Sequence, residues 1–377
     1  MAYKVLVVDD SGFFQRRLKE IINEHPDLEV IDVAINGREA VNKAISLNPD
    51  IISMDYEMPV LNGISAIREI MAHRPVPILM FSSMTYEGAK ITLDALEAGA
   101  VDFIPKDFAE VSQNSAELKR KIHQRLLDIV RAHRVRAFSP PVLDKPSAKI
   151  KPETKPEPKI GTAKPIVERR TSVRPDTQHK KYELLAIGAS TGGPVAITQI
   201  LSQLPKNFPV PIVIIQHMPA TFTQAFAERL NRICNIDVKQ AEDKDSLRPG
   251  LALLAPGSMQ MMIDASNKLR VKVIPGDERV TYQPSIDITF GSAAKTYGAS
   301  ALAIILTGMG NDGCDGARLL KSQGGTVWSQ DEGSSVIFGM PMAVQKQKLS
   351  DKIVSLSNIP DQILRAFPVR QLRAAGS

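Results

Sequence analysis

Residues 138 to 181 constrain this chain more than any other stretch, because they are unsuited to any packed fold. Between Phe138 and Lys181 stand eight of the 26 prolines, with 11 Lys or Arg against five Asp or Glu. Recurring proline keeps such a segment extended, and it has too little apolar surface to offset the entropy of ordering. It reads as a linker, so the 377 residues divide into two folding units, which is also the better prior for this length. The same stretch accounts for the net charge of +6, since the rest of the chain holds 36 residues of each sign. The positive balance therefore belongs to a solvated spacer, and no nucleic-acid surface is expected from it. Two cysteines, Cys234 and Cys314, are too few for a disulfide framework and fit a reducing cytosol. The opening MAYKVLVVDD reaches acidic residues too soon for a signal peptide, and no apolar run approaches a membrane span. A cytoplasmic protein without direct membrane insertion is expected.

Before the linker, the apolar runs Lys4–Val8, Val30–Ala34, Ile51–Met54, Pro77–Phe81 and Val101–Ile104 read as strands buried on both faces. Helical patterns such as Phe13, Phe14, Leu18, Ile21 and Ile22 separate them. Five strand–helix repeats predict a parallel, doubly wound α/β sheet, whose ligands collect at the carboxyl ends of the strands. At those ends stand Asp9, Asp10, Asp55, Ser82 and Lys106. Any one of them could be a helix cap or a surface charge. Together, three carboxylates at one edge repel each other unless a divalent cation lies among them, and oxygen-only ligands favour Mg²⁺. Ser82 and Lys106 could then hold the oxygens of a phosphoryl group on one carboxylate.

After the linker the alternation resumes, with runs at Leu184–Ile187, Ile212–Ile215, Leu251–Leu254, Ala301–Leu306 and Thr326–Trp328. Met259–Ile263 and Leu269–Ile274, on either side of a short polar break, suggest an antiparallel hairpin added to this second sheet. Gly188-Ala189-Ser190-Thr191-Gly192 places a serine in a strand–turn–helix context, with Pro194 suited to the first helical turn. Such a serine can be a nucleophile, a neighbour of a bound phosphate or an ordinary turn residue. The phosphate option lacks the Lys-Ser/Thr of a P-loop and a suitably spaced dinucleotide fingerprint. A nucleophile needs a base, and only His217 lies beyond the linker, directly after a neighbouring strand. Asp312, in the glycine-rich loop after Ala301–Leu306, is the best-placed carboxylate to orient that imidazole. The chain order Ser–His–Asp differs from that of α/β-hydrolases.

The N-terminal half resembles response-regulator receiver domains over roughly its first 125 residues. Val-Val-Asp-Asp-Ser, Met-Asp-Tyr-Glu-Met-Pro-Val-Leu-Asn-Gly and Gly-Ala-Val-Asp-Phe-Ile-Pro-Lys carry the likeness. That resemblance implies a flavodoxin-like, five-stranded parallel fold with Asp55 as phosphoacceptor and Asp9, Asp10 and Asp55 binding Mg²⁺. It also implies that Ser82 and Lys106 sense the phosphoryl group and that Phe103 is the switch aromatic. Asp107 stands where the family has proline after the lysine. The C-terminal half is similar to the catalytic domain of chemotaxis protein-glutamate methylesterases. Ile-Gly-Ala-Ser-Thr-Gly-Gly-Pro, Ile-Gln-His-Met-Pro, Leu-Ala-Pro-Gly, Gln-Pro-Ser-Ile-Asp and Leu-Thr-Gly-Met-Gly-Asn-Asp-Gly carry this second likeness.

By that resemblance Ser190, His217 and Asp312 form a catalytic triad, the Met309 backbone N–H serves the oxyanion and Thr191 lies beside the site. Asn311 stands where many members have Arg. The implied domains are a receiver over 1–125, a helix extension and linker over 126–181, and a mostly parallel α/β catalytic domain with its hairpin over 182–377. The implied reaction removes methyl esters from glutamyl residues of chemoreceptor cytoplasmic domains, and deamidates receptor glutamines, without a catalytic metal. A histidine kinase would be the phosphodonor, the receiver would block the cleft until phosphorylated, and a monomer is expected. Two other classes compete: a transcriptional response regulator, although no helix-turn-helix pattern is visible, and a catalytically inactive docking module.

Overall fold

The structure, a computed structural model, describes residues 2–106, 115–138, 180–277 and 279–368. In the first half strands and helices alternate as β1 (Tyr3–Val8), α1 (Gly12–Asn23), β2 (Leu28–Ala34), α2 (Gly37–Leu47), β3 (Ile51–Asp55), α3 (Gly63–His73), β4 (Ile78–Ser83), α4 (Tyr86–Glu97), β5 (Asp102–Lys106) and α5 (Ala116–Phe138). The strands pair in the order β2-β1-β3-β4-β5, every pair parallel, as the apolar runs predict. Helices cover both faces, which is why all five residues of β3 are buried. Helix starts are set by short polar side chains. Asn36, Asn62 and Thr85 accept the backbone N–H groups of Glu39, Ser65 and Gly88 in the first turns of α2, α3 and α4. On α1 the stripe Phe14, Leu18, Ile21 and Ile22 is buried, while Phe13 faces outward.

Helix α5 runs on past residue 125 into the stretch read as a helix extension. Leu126, Leu127, Ile129 and Val130 are buried in the same core as Phe14 and Ile21, so packing carries the first unit at least to Val130. The proline-rich stretch read as a linker falls, for residues 139–179, outside the described residues.

The second half comprises β6 (Leu184–Ala189), α6 (Gly193–Leu201), β7 (Ile212–Gln216), α7 (Ala220–Ile233), β8 (Asp237–Gln240), β9 (Leu251–Leu254), β10 (Met259–Ile263), β11 (Val271–Pro275), α8 (Ile286–Tyr297), β12 (Ala301–Ile305), α9 (Cys314–Ser322), β13 (Thr326–Gln330), α10 (Met340–Lys346), β14 (Lys352–Val354) and α11 (Ile359–Ala366). Seven parallel strands pair in the order β14-β13-β12-β6-β7-β9-β8. The expected hairpin is β10–β11, and it forms a two-stranded sheet of its own rather than widening the large one. Strands β8 and β14, absent from the sequence reading, are the two edges. Each is short and only partly buried, so neither leaves an apolar run.

The halves pack together through α4 and β5 on one side and α7 on the other. Phe103 lies flat on Phe222, ring centroids 4.3 Å apart and planes 9° from parallel. Arg229 pairs with Asp94 and Glu97, and the Tyr86 hydroxyl donates to Glu228. These ion pairs are partly exposed, and such pairs contribute about 0–1 kcal/mol each. Burying an aromatic ring contributes about 1.5–3 kcal/mol, so the apolar contact dominates.

Candidate active site

β6 ends at Ala189, and the chain turns through Ser190, Thr191 and Gly192 into α6. Gly192 has φ 76°, a left-handed conformation that costs a side-chain-bearing residue, and a Cβ there would fall 2.6 Å from Val336. Ala189 is in register with Gln216 of β7, so Ser190 and His217 leave adjacent parallel strands side by side. The His217 N–H donates to the Ala189 carbonyl at 3.2 Å. On the opposite flank the Ser190 N–H donates to the Thr307 carbonyl, just beyond β12, at 3.0 Å. The serine thus occupies the point where strand order reverses, β7 on one side and β12 on the other, where α/β sheets bind their ligands. Gln216 Nε2 secures the turn by donating to the Ser190 carbonyl at 3.0 Å.

His217 Nε2 lies 2.8 Å from Asp312 Oδ2. The other ring nitrogen, Nδ1, is buried and has no hydrogen-bond partner among the described residues. Asp312 accepts three further bonds, from Ser285 Oγ at 3.0 Å, Ile286 N–H at 2.7 Å and Asp287 N–H at 3.1 Å. All three donors belong to the start of α8, whose dipole favours an anion. Burial opposes charge on Asp312, but the His217 hydrogen bond and charge, together with the α8 N–H groups, outweigh it and hold the carboxyl below its ordinary value. Asp287 goes the other way, pushed up to about 6 by burial against the pull of the Gly316 N–H, with the Asp312 carboxylate adding to the rise.

The sequence-predicted neighbours divide. Gly308, the residue before Met309, approaches so closely that a Cβ there would lie 2.8 Å from the Ser190 Cβ. The Thr191 hydroxyl donates to Asp102 of β5 at 2.7 Å, and Arg125 of α5 bonds both partners. Ser190, Thr191 and Asp312 are all buried.

At the end of the first sheet, carboxylate oxygens of Asp9, Asp10 and Asp55 all lie within 4.8 Å of one another. Lys106 Nζ bridges Asp9 at 2.7 Å and Asp55 at 2.8 Å, over the Phe14 ring. Asp107, which replaces the family's proline, is outside the described residues, and Lys106 reaches the carboxylates with it. A cleft of about 270 Å³ opens here, with Ser82 in its wall. Ser82 Oγ donates to the Gly88 carbonyl at 3.2 Å and receives the Thr92 hydroxyl. Burial pushes Asp55 up to about 6; Lys106 pulls it down and Asp9 adds to the rise. The oxygen-only donor set and its spacing fit a hard divalent cation such as Mg²⁺.

Sequence reasoning missed Tyr282, whose ring lies flat on His217, and Ser285, Asp102 and Arg125. Ser285 had a local signal, since serine before an apolar run is a helix N-cap pattern. Nothing in that pattern points to Asp312, 27 residues on.

A domain of this fold with this acidic pocket defines a response regulator, and the domain attached to it is of an enzyme class. The family model for the response regulator receiver domain matches residues 5–116, and that for CheB methylesterase matches residues 185–363. A protein-glutamate methylesterase/protein-glutamine glutaminase of the group 1 operon of Pseudomonas putida is 52% identical over 370 residues, spanning 97% of this chain and all of the relative. One from Vibrio vulnificus is 54% identical, spanning 97% of this chain and 98% of its own. The crystal structure of the Thermotoga maritima CheB methylesterase catalytic domain matches 49% of this chain and 98% of its own at 38% identity, with a TM-score of 0.47. The chain belongs to the protein-glutamate methylesterase/protein-glutamine glutaminase family. Among the described residues no helix is long and apolar enough to cross a membrane.

Proposed function

We propose that this chain is a phosphorylation-controlled hydrolase that removes methyl esters from glutamyl residues of chemoreceptors and deamidates receptor glutamines, with Ser190, His217 and Asp312 as its triad. The observation that carries this reading is the His217–Asp312 hydrogen bond, at the strand edge where β6 delivers Ser190. With Nε2 committed to Asp312, Nδ1 is the nitrogen left to take the serine proton. Ser190 Oγ attacks the ester carbonyl, and the Met309 N–H would steady the oxyanion, a role worth about 3 kcal/mol per donor. His217 returns the proton to the leaving methoxy oxygen, releasing methanol, or to the amide nitrogen of a glutamine, releasing ammonia. Water, activated by the same imidazole, then releases the glutamate. Asp312 stays charged throughout, fixing the ring and balancing its positive charge.

Asp55 would accept the phosphoryl group from a histidine kinase. Asp9, Asp10 and Asp55 would hold Mg²⁺, which offsets the charge of the phosphoryl oxygens. Lys106 and Ser82 would bind those oxygens, so Lys106 would loosen its pairing with Asp9 and Asp55. Strand β5 supports a route to the other domain: Lys106 ends it at the carboxylates, while Asp102 and Phe103 begin it at Thr191 and Phe222. Pulling on Lys106 would disturb the contact beside the nucleophile and open the cleft to a helical receptor. The test measures methanol release from methylated receptor, with and without acetyl phosphate. Wild type should release methanol faster when phosphorylated, and Ser190→Ala should release none. Release by Ser190→Ala at the wild-type rate would overturn the reading.

A further inference from the structure

We propose that Tyr282 is a positioning residue for His217, its aromatic face both fixing the imidazole plane and stabilising the positive charge that this ring gains during the reaction. This depends on the triad proposed above, in which His217 becomes imidazolium each time it takes a proton.

The two rings stack with centroids 4.2 Å apart and planes 8° from parallel. A cation within about 6 Å of an aromatic centroid is attracted by the ring's negative face. The attraction is strongest for the charged imidazole, so it acts on the transition state more than on the resting enzyme. Asp312 holds the imidazole by one edge, which still allows rotation about that bond. The Tyr282 ring removes this freedom by covering one face.

Tyr282 is itself held. Its carbonyl accepts from Gln260 Nε2 at 2.8 Å, and the oxygen of the same amide accepts the Ser285 N–H at 2.8 Å. Gln260 is buried on β10, so one side-chain amide fixes both the stack under His217 and the serine that binds Asp312. Space for the phenol comes from Gly310, with φ 82°, where a Cβ would lie 2.9 Å from the Tyr282 hydroxyl. Burial, then the Asp312 charge, raise the phenol against the pull of Arg125, so it remains neutral and does not compete as a base. The charged groups around the pair are Asp312 from the β12 loop, Asp287 behind it on α8, and Arg125 from α5.

The experiment measures kcat and KM for methanol release from a glutamyl γ-methyl ester peptide between pH 5.5 and 9, using the full chain. Tyr282→Leu should lower kcat about tenfold with KM within twofold, and should move the acid limb of the rate profile to lower pH. Tyr282→Phe, which keeps the aromatic face, should restore both. Tyr282→Met, close in bulk but without that face, carries the same expectation if the leucine variant does not fold. Wild-type kcat in the leucine or methionine variant overturns the inference, and so does a phenylalanine variant as impaired as they are. Ser190→Ala run alongside separates the outcomes: if it is inactive while Tyr282→Leu is normal, only the role of Tyr282 fails.

Discussion

Asp55 and Asp312 are both buried aspartates at the carboxyl edge of a parallel sheet, and their surroundings drive them in opposite directions. Asp312 accepts four hydrogen bonds, one from His217 and three from the start of α8, and its carboxyl is held below the ordinary range. Asp55 accepts the Tyr56 N–H and shares one lysine with Asp9, and burial takes it up to about 6. The difference fits the tasks proposed for them. A carboxylate that only orients a base works best with its lone pairs filled and its charge locked. One that must itself form a bond needs an oxygen within reach of the cleft and a counter-charge that can move. Fixed peptide N–H groups provide the first arrangement, and a single lysine shared between two carboxylates provides the second.

The largest effect that could break this contrast is on turnover. Asp312→Asn places an amide among the α8 N–H donors and reverses the pairing that orients His217. Methanol release should fall on the order of 10³–10⁴-fold, the scale of this substitution in serine hydrolases. Asp55→Asn should leave unstimulated release within about twofold of wild type, because Asp55 sits in the acidic pocket of the other sheet and is not among the groups that contact His217 or Asp312. Equal losses in the two variants would mean that the carboxylates do not have separate tasks.

The next effect concerns the contact between the regions. Arg125 and Asp102 bind the Thr191 hydroxyl, one residue from the nucleophile. Hydrogen bonds to charged groups contribute about 1.5–3 kcal/mol, reduced here because Arg125 is partly exposed. Arg125→Ala should therefore raise methanol release by unphosphorylated protein roughly tenfold, a shift of about 1.4 kcal/mol towards the open arrangement. The further gain on adding acetyl phosphate should shrink by a similar factor. Unchanged basal release would show that this latch does not hold the cleft shut.

How much of this was legible in the sequence depended on distance along the chain. Strand ends could be read from apolar runs, and with them Asp9, Asp10, Asp55 and Lys106 on one sheet and Ser190, His217 and Asp312 on the other. Parallel strands deliver their terminal residues to a single edge, so local patterns were sufficient. The edge strands β8 and β14 were missed because a strand covered on few sides carries no apolar run. Tyr282, Ser285 and Gln260 were missed for a different reason. Their contacts exist only once the hairpin and α8 are laid over the sheet edge, and no spacing rule encodes that placement. Thr191 was expected beside the triad from the family resemblance, and its hydroxyl bonds Asp102 of the other domain. Docking between folded units leaves no periodic signal in either of them.

The smallest effect is on stability, and it tests the contrast by sign. An aspartate raised from 3.8 to about 6 binds its proton more tightly folded than unfolded. Between those values the native state carries more protons, so this group favours folding as pH falls through 6 and opposes it above 6. At pH 7.5 in Mg²⁺-free buffer, Asp55→Asn should therefore stabilise the protein by about 1 kcal/mol. The full shift at 1.36 kcal/mol per unit sets the upper bound, and the Lys106 pairing is already contained in it. In a chain of 377 residues the melting temperature should rise about 1–2 °C, and the gain should shrink as pH falls from 6 and vanish below 3.8. Mg²⁺ would reduce it by favouring the charged form that the substitution removes. Asp312 has the reverse linkage: held below 3.8, it stabilises the fold at neutral pH and loses that contribution only as pH falls below 3.8. Asp312→Asn should accordingly lower the melting temperature at pH 7.5. Shifts of the same sign in both variants would mean that desolvation, rather than the difference in donors, governs both sites.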